Sequence, residues 1–413
     1  MENAPNSLIY LFQNKVYRKL WGIGFVQAIM RWMELTALGI FVFQITESPF
    51  WVAMVGFSHI LPLFLFGSLL GLFSEKYQRK KIIFLSYFGL SVINLLLFLL
   101  ALFEFLELWH ILLGTFFSGI IWAEDFPARM GLISDEIKES ILSKAVGLDL
   151  TTSNICRIIG PFVAGIYMSS IGIEAVYISG VILMLAGSLI AYKIKESNSS
   201  NEHTNDKLSS YFSNIFEGLK YIRSNNIIFP TLIITVVMNI FAFSYRNMVP
   251  VIGAESLLIT PFLVGVLLSF EGVGATISSF IISLKLNIHL SNRFYFYGSI
   301  IFLIMIFLLG INDIFILAII FLFIAGMSMA SFGITQKLII ISNSDKAHRG
   351  RVLGVLAASI GTAPLGAMLL GFTASIFNAN LALVIFSILG LLLCLVVIIK
   401  YRMFLSRDNS VKR

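Results

Sequence analysis

Runs of about 20 apolar residues alternate along this chain with short clusters of charged and turn-forming residues, and 20 residues of helix is the length that spans a bilayer. Cutting at those clusters gives twelve segments, approximately 19–43, 50–72, 82–103, 107–130, 143–170, 173–194, 227–252, 261–284, 293–311, 313–341, 350–377 and 380–401. The pattern predicts an all-α integral membrane protein with twelve transmembrane helices. The longest polar stretch, Lys195–Asn226, is rich in Ser and Asn and ends in a short amphipathic piece, SYFSNIFEGLKYIRS. It reads as a cytoplasmic linker (195–226) between an N-terminal six-helix half (1–194) and a C-terminal six-helix half (227–413). A weak internal repeat supports two related halves. Lys144-Ala-Val-Gly147 opens the fifth segment and Arg351-Val-Leu-Gly354 the eleventh, each followed by a Gly/Pro-containing run. Paired halves with Gly/Pro-interrupted helices in matching places point to a transporter, with a substrate site expected near the midplane.

Composition agrees. Of 413 residues, 58% are hydrophobic and 12% charged, against roughly 25% charged in soluble domains, which argues against a soluble multi-domain enzyme. The apolar start near Leu20 is followed by Arg31 and Glu34 and then by more apolar residues, so the first segment reads as a retained helix. Cys156 and Cys394 both lie inside apolar segments, which disfavours disulfides and cysteine metal sites.

A net charge of +7 and a pI near 9.3 raise the question of a nucleic-acid partner. The placement of the basic residues answers it. Every Lys and Arg except Arg31, Arg157 and Arg246 falls before the first segment, after the last, or at the loops that follow even-numbered segments. The opposite loops carry Glu47, Glu104, Glu107, Glu174, Glu255 and Asp313. The positive-inside rule then places both termini in the cytoplasm, and the basic pI follows from topology.

Five stretches carry a resemblance: RWMELTALGIFVFQITESPFWVAMVGF at the first hairpin, GLFSEKYQRKK after the second segment, DFPARMGLISDEI with RIIGPFVAG, FEGLKYIRSNN before the seventh, and HRGRVLGV with TAPLGAMLLG at the eleventh. Together they resemble the major facilitator superfamily, in its bacterial branch of siderophore exporters and macrolide-efflux-like proteins. The likeness covers nearly the whole chain and implies the major facilitator fold, two pseudo-symmetric six-helix halves. It implies that Gly71 allows close helix packing, that Glu75 sits near the N-terminus of helix eleven, and that Arg79 and Lys80 hold the loop at the cytoplasmic face. Arg129 is the cation expected to pair with Glu75. This copy has Glu75 where the superfamily carries Asp and Gln78 where it carries Gly. Gly160 and Pro161, with Gly165, resemble a helix-five element associated with antiporters, which favours export.

Four charges lie deep in the segments. At 1.5 Å per residue Arg31 is roughly 18 Å and Glu34 roughly 22 Å beyond Lys19, Arg157 roughly 20 Å beyond Lys144, and Glu271 roughly 15 Å beyond Pro261. Each is expected to face the bundle interior with a partner, because a charge at the bilayer centre costs roughly 2.5–3.5 kcal/mol on insertion scales. Arg31 and Glu34 are spaced to share one helix face as a self-contained pair, or Glu34 pairs with Arg157 if helices one and five are neighbours. Glu271, for which the sequence assigns no cation, ranks first as proton carrier, followed by Glu34 with Arg31 and Arg157. Glu124, Asp125 and Asp149 are expected to be solvated at the cytoplasmic ends, His59 to be a hydrogen-bonded packing residue, and Arg246 to snorkel at the outer end of helix seven. Gln27, Trp32, Asn239 and Gln336 are candidate substrate-cavity residues.

These features predict a secondary active transporter that exports a small amphipathic or hydrophobic compound by proton antiport with alternating access. Proton-linked uptake of a metabolite, or a membrane ligand sensor that keeps the fold without turnover, are the alternatives. No nucleotide-binding phosphate loop, metal-ligand motif or nucleophile and base set is present, so no enzyme activity, cofactor or metal is expected. The expected partners are a small-molecule substrate, protons and the lipid bilayer, with no nucleic acid, and the protein is expected to be a monomer in the plasma membrane.

Overall fold

The computed structural model describes residues 8–76, 78–194, 221–285, 291–345 and 348–401. Among them every regular element is helical. A short α1 (Leu8–Gln13) is followed by α2 (Lys15–Thr46), α3 (Pro49–Lys76), α4 (Arg79–Leu102), α5 (Leu108–Glu136), α6 (Glu139–Ser170) and α7 (Ile173–Tyr192). Beyond the linker come α8 (Ile228–Phe241), a 3-10 turn (Phe243–Met248), α9 (Val249–Glu255), α10 (Pro261–Lys285), α11 (Ser291–Gly310), α12 (Phe315–Asn343), α13 (Arg349–Ile360), α14 (Ala363–Ile376) and α15 (Ala379–Lys400).

Ten helical stretches among the described residues are long and apolar enough to cross a membrane, counting α8 to α9 and α13 to α14 as one stretch each. The positions of predicted segments four and five are held by α5 and α6, of 29 and 32 residues. Those two carry Glu124, Asp125 and Arg129, and Lys144, Asp149 and Arg157, so length and not apolarity marks them out.

Two spans are broken, at seven and eleven. The 3-10 turn separates α8 from α9, and Gly361 and Thr362 separate α13 from α14, where Pro364 occupies the first turn of the new helix. A proline there has no intrahelical N–H bond to lose. The small Gly366 lies against the Ile240 and Asn239 carbonyls, so α14 packs on α8 backbone to backbone.

Helices cluster into two units, Met1–Val42 with Ser58–Thr204 and Phe43–Phe57 with Asn205–Arg413. The tip of the α2–α3 hairpin therefore groups with the second unit. In the first unit α4 packs on α5 and α7. In the second, α12 packs on α10 and α11, and α15 on α8 and α11. The predicted linker and its amphipathic piece fall mostly outside the described residues; the last helical turn of that piece, 221–224, is described.

Candidate functional site

In the first unit, α2 and α6 run side by side in the same direction. The Tyr17 hydroxyl donates to the Ala145 carbonyl at 3.3 Å, Trp21 Nε1 to Thr152 Oγ1 at 2.9 Å, and Cys156 Sγ lies 3.8 Å from the Phe25 carbonyl. Further along, a Cβ on Gly160 would stand 2.7 Å from Trp32 Cβ and 2.9 Å from Met33 N. Only a glycine lets the two backbones meet there, and the next residue, Pro161, offers no N–H to the Arg157 carbonyl one turn back. The approach sets Arg157 over the face of Trp32, 5.1 Å from the ring centroid. Arg31 lies over the same Trp32 ring at 4.6 Å and over Trp122 of α5 at 4.9 Å. His59 of α3 stacks on Trp122 with centroids 5.4 Å apart. Four helices thus contribute to one column of guanidinium and aromatic groups.

Guanidinium over indole is the strongest ordinary cation–π geometry, and it gains when the pair is withdrawn from water. The sequence offered Glu34 as partner of either arginine. Its carboxylate instead comes to Ser118 Oγ of α5, a long contact of 3.5 Å. His59 does not make the expected hydrogen bond: its Nε2 is buried with no hydrogen-bond partner among the described residues, and its ring is held by stacking. Gln27 is buried on α2, one turn before Arg31.

One turn or more toward the predicted cytoplasmic side lies a second set. Arg129 of α5 bonds Asp125 Oδ2 at 3.2 Å and both oxygens of Asp149 on α6, one of them at 3.3 Å. The Tyr87 hydroxyl of α4 donates to Asp125 Oδ1 at 2.8 Å. Room for the guanidinium comes from Gly24 of α2, where a Cβ would stand 2.7 Å from Arg129 Cζ. Asp125 and Asp149 are 3% and 8% exposed, so the expectation that they are solvated is corrected. A buried cation demanded anionic partners, and these two were nearest. Glu124, also buried, has no hydrogen-bond partner on either oxygen among the described residues. The Glu75 side chain lies outside the described residues, so its pairing with Arg129 is not described; Gly71 falls within α3. Arg79 bonds Asp135 Oδ2 at 2.7 Å, half-exposed, beside Gly131, where a Cβ would stand 2.7 Å from Arg79 Cζ.

Among its described residues the second unit holds a deep ion pair. Arg246, in the 3-10 turn that interrupts the seventh span, bonds Glu271 Oε2 on α10, and Glu271 is fully buried. This corrects the reading of Arg246 as a snorkelling residue and supplies the cation the sequence did not assign to Glu271. The turn itself explains the difference. Continuing α8 as a regular helix would set a different direction for residue 246 than a 3-10 turn does. Behind Glu271, a Cβ on Gly326 would run into the Glu271 carbonyl, so α10 and α12 touch backbone to backbone.

Asn239 and Gln336 do not stand free toward a cavity. Gln336 Nε2 donates to Thr235 Oγ1 at 2.6 Å, Thr235 Oγ1 shares a 3.1 Å hydrogen bond with the Tyr295 hydroxyl, and that hydroxyl donates to the Thr231 carbonyl at 2.8 Å. Asn239 Nδ2 donates to the Thr235 carbonyl at 2.9 Å. This network braces α8, α11 and α12 together. Trp32 alone of the four cavity candidates stands in a set of charged and aromatic groups. Sequence reading missed Trp122, Tyr87 and the Arg246 pairing. The i, i+4 spacing of Asp125 and Arg129 was the one local signal available. Among the described residues no group of three or more His, Cys, Asp or Glu is placed to hold a metal ion.

Long apolar helices that keep their charges in buried sets define a multi-pass membrane protein, and solved structures give its architecture. The chain is similar to the nucleoside transporter NupG (TM-score 0.72, 15% identity, covering 94% of this chain and 99% of that one). It is likewise similar to a bacterial homologue of the lysosomal transporter Spinster (TM-score 0.71, 13% identity, covering 97% and 98%). These likenesses establish the major facilitator fold. Residues 7–412 match the transmembrane secretion effector family, and the chain belongs to that family of major facilitator transporters. It is 22% identical over 398 residues to the staphyloferrin A transporter of Staphylococcus aureus, covering 94% of this chain and 96% of the relative. It is also 22% identical over 281 residues to the uncharacterized MFS-type transporter YvqJ of Bacillus subtilis, covering 67% and 66%. The protein is a membrane transporter of a small molecule and not an enzyme.

Proposed function

We propose that the protein exports a small amphipathic compound from the cytoplasm across the plasma membrane by proton antiport with alternating access, both termini lying in the cytoplasm. The observation that carries the coupling is the buried ion pair of Arg246 and Glu271 at the break in the seventh span. A proton and a guanidinium compete for one carboxylate. When Glu271 takes a proton its hold on Arg246 falls, and Arg246 belongs to a 3-10 turn, the kind of mid-helix irregularity at which a helix bends. Binding one proton at Glu271 is thereby linked to the geometry of α8 and α9. Outward direction is supported by the secretion family and by the Gly160 and Pro161 pair in α6. Gly71, Glu75 and Arg79 are assigned to the cytoplasmic gate by resemblance.

The test begins with a thermal-shift screen of the purified protein, with staphyloferrin A as the first compound, because a ligand of the native state raises the transition temperature. The compound found is then followed in proteoliposomes. Glu271→Gln is expected to abolish accumulation driven by a pH gradient while sparing exchange of labelled for unlabelled compound, which moves no net proton. Wild-type pH-driven accumulation in Glu271→Gln would remove Glu271 from the carrier role and make Glu34→Gln the next variant. Gradient-driven flux only toward the cytoplasmic side would overturn export.

A further inference from the structure

The end of the first unit at which α2 and α4 begin and α7 ends gathers three lysines that the transport reading does not use. Lys19 Nζ of α2 donates to the carbonyl of Lys193, the residue that follows α7. Lys80 Nζ of α4 lies over the Tyr192 ring, 5.9 Å from its centroid. Lysines from α2, α4 and the end of α7 thus meet around Tyr192. None of the three forms an ion pair with a described carboxylate: Asp135 is bonded to Arg79, and Asp125 and Asp149 are bonded to Arg129. The side chains of Glu75, Glu139 and Glu196 lie outside the described residues. A cation at the carbonyl end of a helix has an ordinary use, because it offsets the partial negative charge there. Lys19 serves that use at α7, and Lys80 and Lys193 add charge beyond it.

Next to the lysines, in the direction of the span, the surface is apolar and uncovered. α4 and α7 pack together, and Phe84 joins them, its ring 5.9 Å from that of Tyr192 and stacked on Phe88 at 6.1 Å. Leu85 and Phe88 of α4 are 62% and 46% exposed and Leu189 of α7 is 54% exposed. The same face of α4 stays apolar and exposed through Val92, Leu96 and Leu99. Tyr192, itself exposed, stands between the charged and the apolar parts, the level at which tyrosines gather in membrane proteins.

A partner for this surface carries negative charge at one end and hydrocarbon at the other. A soluble anion answers only the lysines. A zwitterionic lipid answers the apolar face but brings a cation of its own to the lysines. A phospholipid with a net negative headgroup answers both. We propose that α2, α4 and the end of α7 form a binding site for an anionic phospholipid, its phosphate held by Lys19, Lys80 and Lys193 and its acyl chains laid along Leu85, Phe88 and Leu189. The site is independent of the direction of transport, the compound carried and the coupling ion.

The experiment uses the full chain, purified in a neutral detergent and stripped of lipid. Dioleoyl phosphatidylglycerol, dioleoyl phosphatidylcholine and inorganic phosphate are titrated separately and followed by thermal shift, because a ligand of the native state raises the transition temperature. A lysine near a membrane surface contributes about 1 kcal/mol toward an anionic lipid, so three should let phosphatidylglycerol act at a concentration roughly a hundredfold below that of phosphatidylcholine. Inorganic phosphate should give no shift at the concentration where phosphatidylglycerol saturates, and added salt should narrow the gap between the two lipids. Lys19→Gln, Lys80→Gln and Lys193→Gln should each cut the preference roughly fivefold, and the triple substitution should abolish it. Lys337→Gln, which removes an exposed lysine of α12 in the second unit, should leave it unchanged. Native mass spectra should show phosphatidylglycerol retained by the wild type and lost from the triple variant. Equal potency of the two lipids, or a phosphate shift as large as that of phosphatidylglycerol, would overturn the proposal on the wild-type protein alone, whether or not the variants fold. A preference that survives the triple substitution, or falls as far in Lys337→Gln as in Lys80→Gln, would assign the effect to net charge and overturn the site as well.

Discussion

Gly160 and Trp32 are in backbone contact: a Cβ on the glycine would lie 2.7 Å from the Cβ of the tryptophan. The Arg157 guanidinium reaches the Trp32 ring from one turn before that contact. Spacing between α6 and α2 therefore sets the geometry of a charged group.

Gly160→Val is expected to push α6 from α2. Overpacking of this kind costs typically 1–3 kcal/mol, so the transition temperature should fall and the fluorescence of Trp32 should change as Arg157 is lifted from it. The control lies on the same helix. Gly147 has nothing within 4 Å of where a Cβ would go, and Gly147→Ala should be neutral or stabilising by up to about 1 kcal/mol from helix propensity. Equal effects of the two substitutions would show that close approach at Gly160 does not matter.

The Arg129 set predicts an asymmetry. Arg129→Gln leaves Asp125 and Asp149 buried without their shared cation, and breaking a buried pair from one side costs about 3–5 kcal/mol. Asp149→Asn leaves Arg129 still bonded to Asp125, which in turn accepts from Tyr87. Folded yield and melting temperature in detergent should therefore fall far more for Arg129→Gln than for Asp149→Asn. The reverse order would mean that Asp149, and not the shared cation, organises the site.

Architecture was legible in the sequence because a bilayer imposes a length and an apolarity that composition alone reveals. The Gly/Pro runs marked one of the two broken spans, since Pro364 does open a new helix after Gly361, and in the unbroken α6 Gly160 does mark a close backbone approach to α2. Pairings across helices were less legible. Arg246 was read at the end of its span because nothing in FAFSYRNMVP announces a 3-10 turn, and only that turn explains its reach to Glu271. Trp122 looked like one more apolar residue of α5, since a cation–π partner differs from a packing residue only by what lies over its ring. Asn239 and Gln336 were chosen for polarity in apolar spans, a property that bracing residues share with ligand-binding ones.

The brace around Thr235 is expected to matter for stability and not for recognition. Gln336→Leu removes the donor to Thr235 Oγ1, and Thr235→Val removes the acceptor and the link to Tyr295. Leaving a buried polar partner unsatisfied costs about 1–3 kcal/mol, so both variants should melt earlier, Thr235→Val more so because two partners lose their contact. Binding of a ligand found by thermal shift should be unchanged once measured on the folded fraction. A Gln336→Leu protein that melts like the wild type but loses the ligand would return Gln336 to the substrate site.

For Arg246 and Glu271 the decisive quantity is coupling. Arg246→Gln alone leaves Glu271 as a buried carboxylate facing an amide, and Glu271→Gln alone leaves Arg246 facing one; each should destabilise strongly, in the range of about 3–5 kcal/mol for a broken buried pair. The double substitution leaves neither charge. Residues in direct contact depart from additivity by about 0.5–3 kcal/mol, so the double variant should be more stable than the sum of the single effects predicts, and more stable than Arg246→Gln. Proton coupling adds a second expectation. If the proton acts by freeing Arg246 from Glu271, then Glu271→Gln and the double variant should share one distribution of spin-label distances between α9 and α11, shifted from that of the wild type. Additive stabilities would show that the two side chains do not depend on each other, and a wild-type distance distribution in Glu271→Gln would detach the ion pair from the bending of the seventh span.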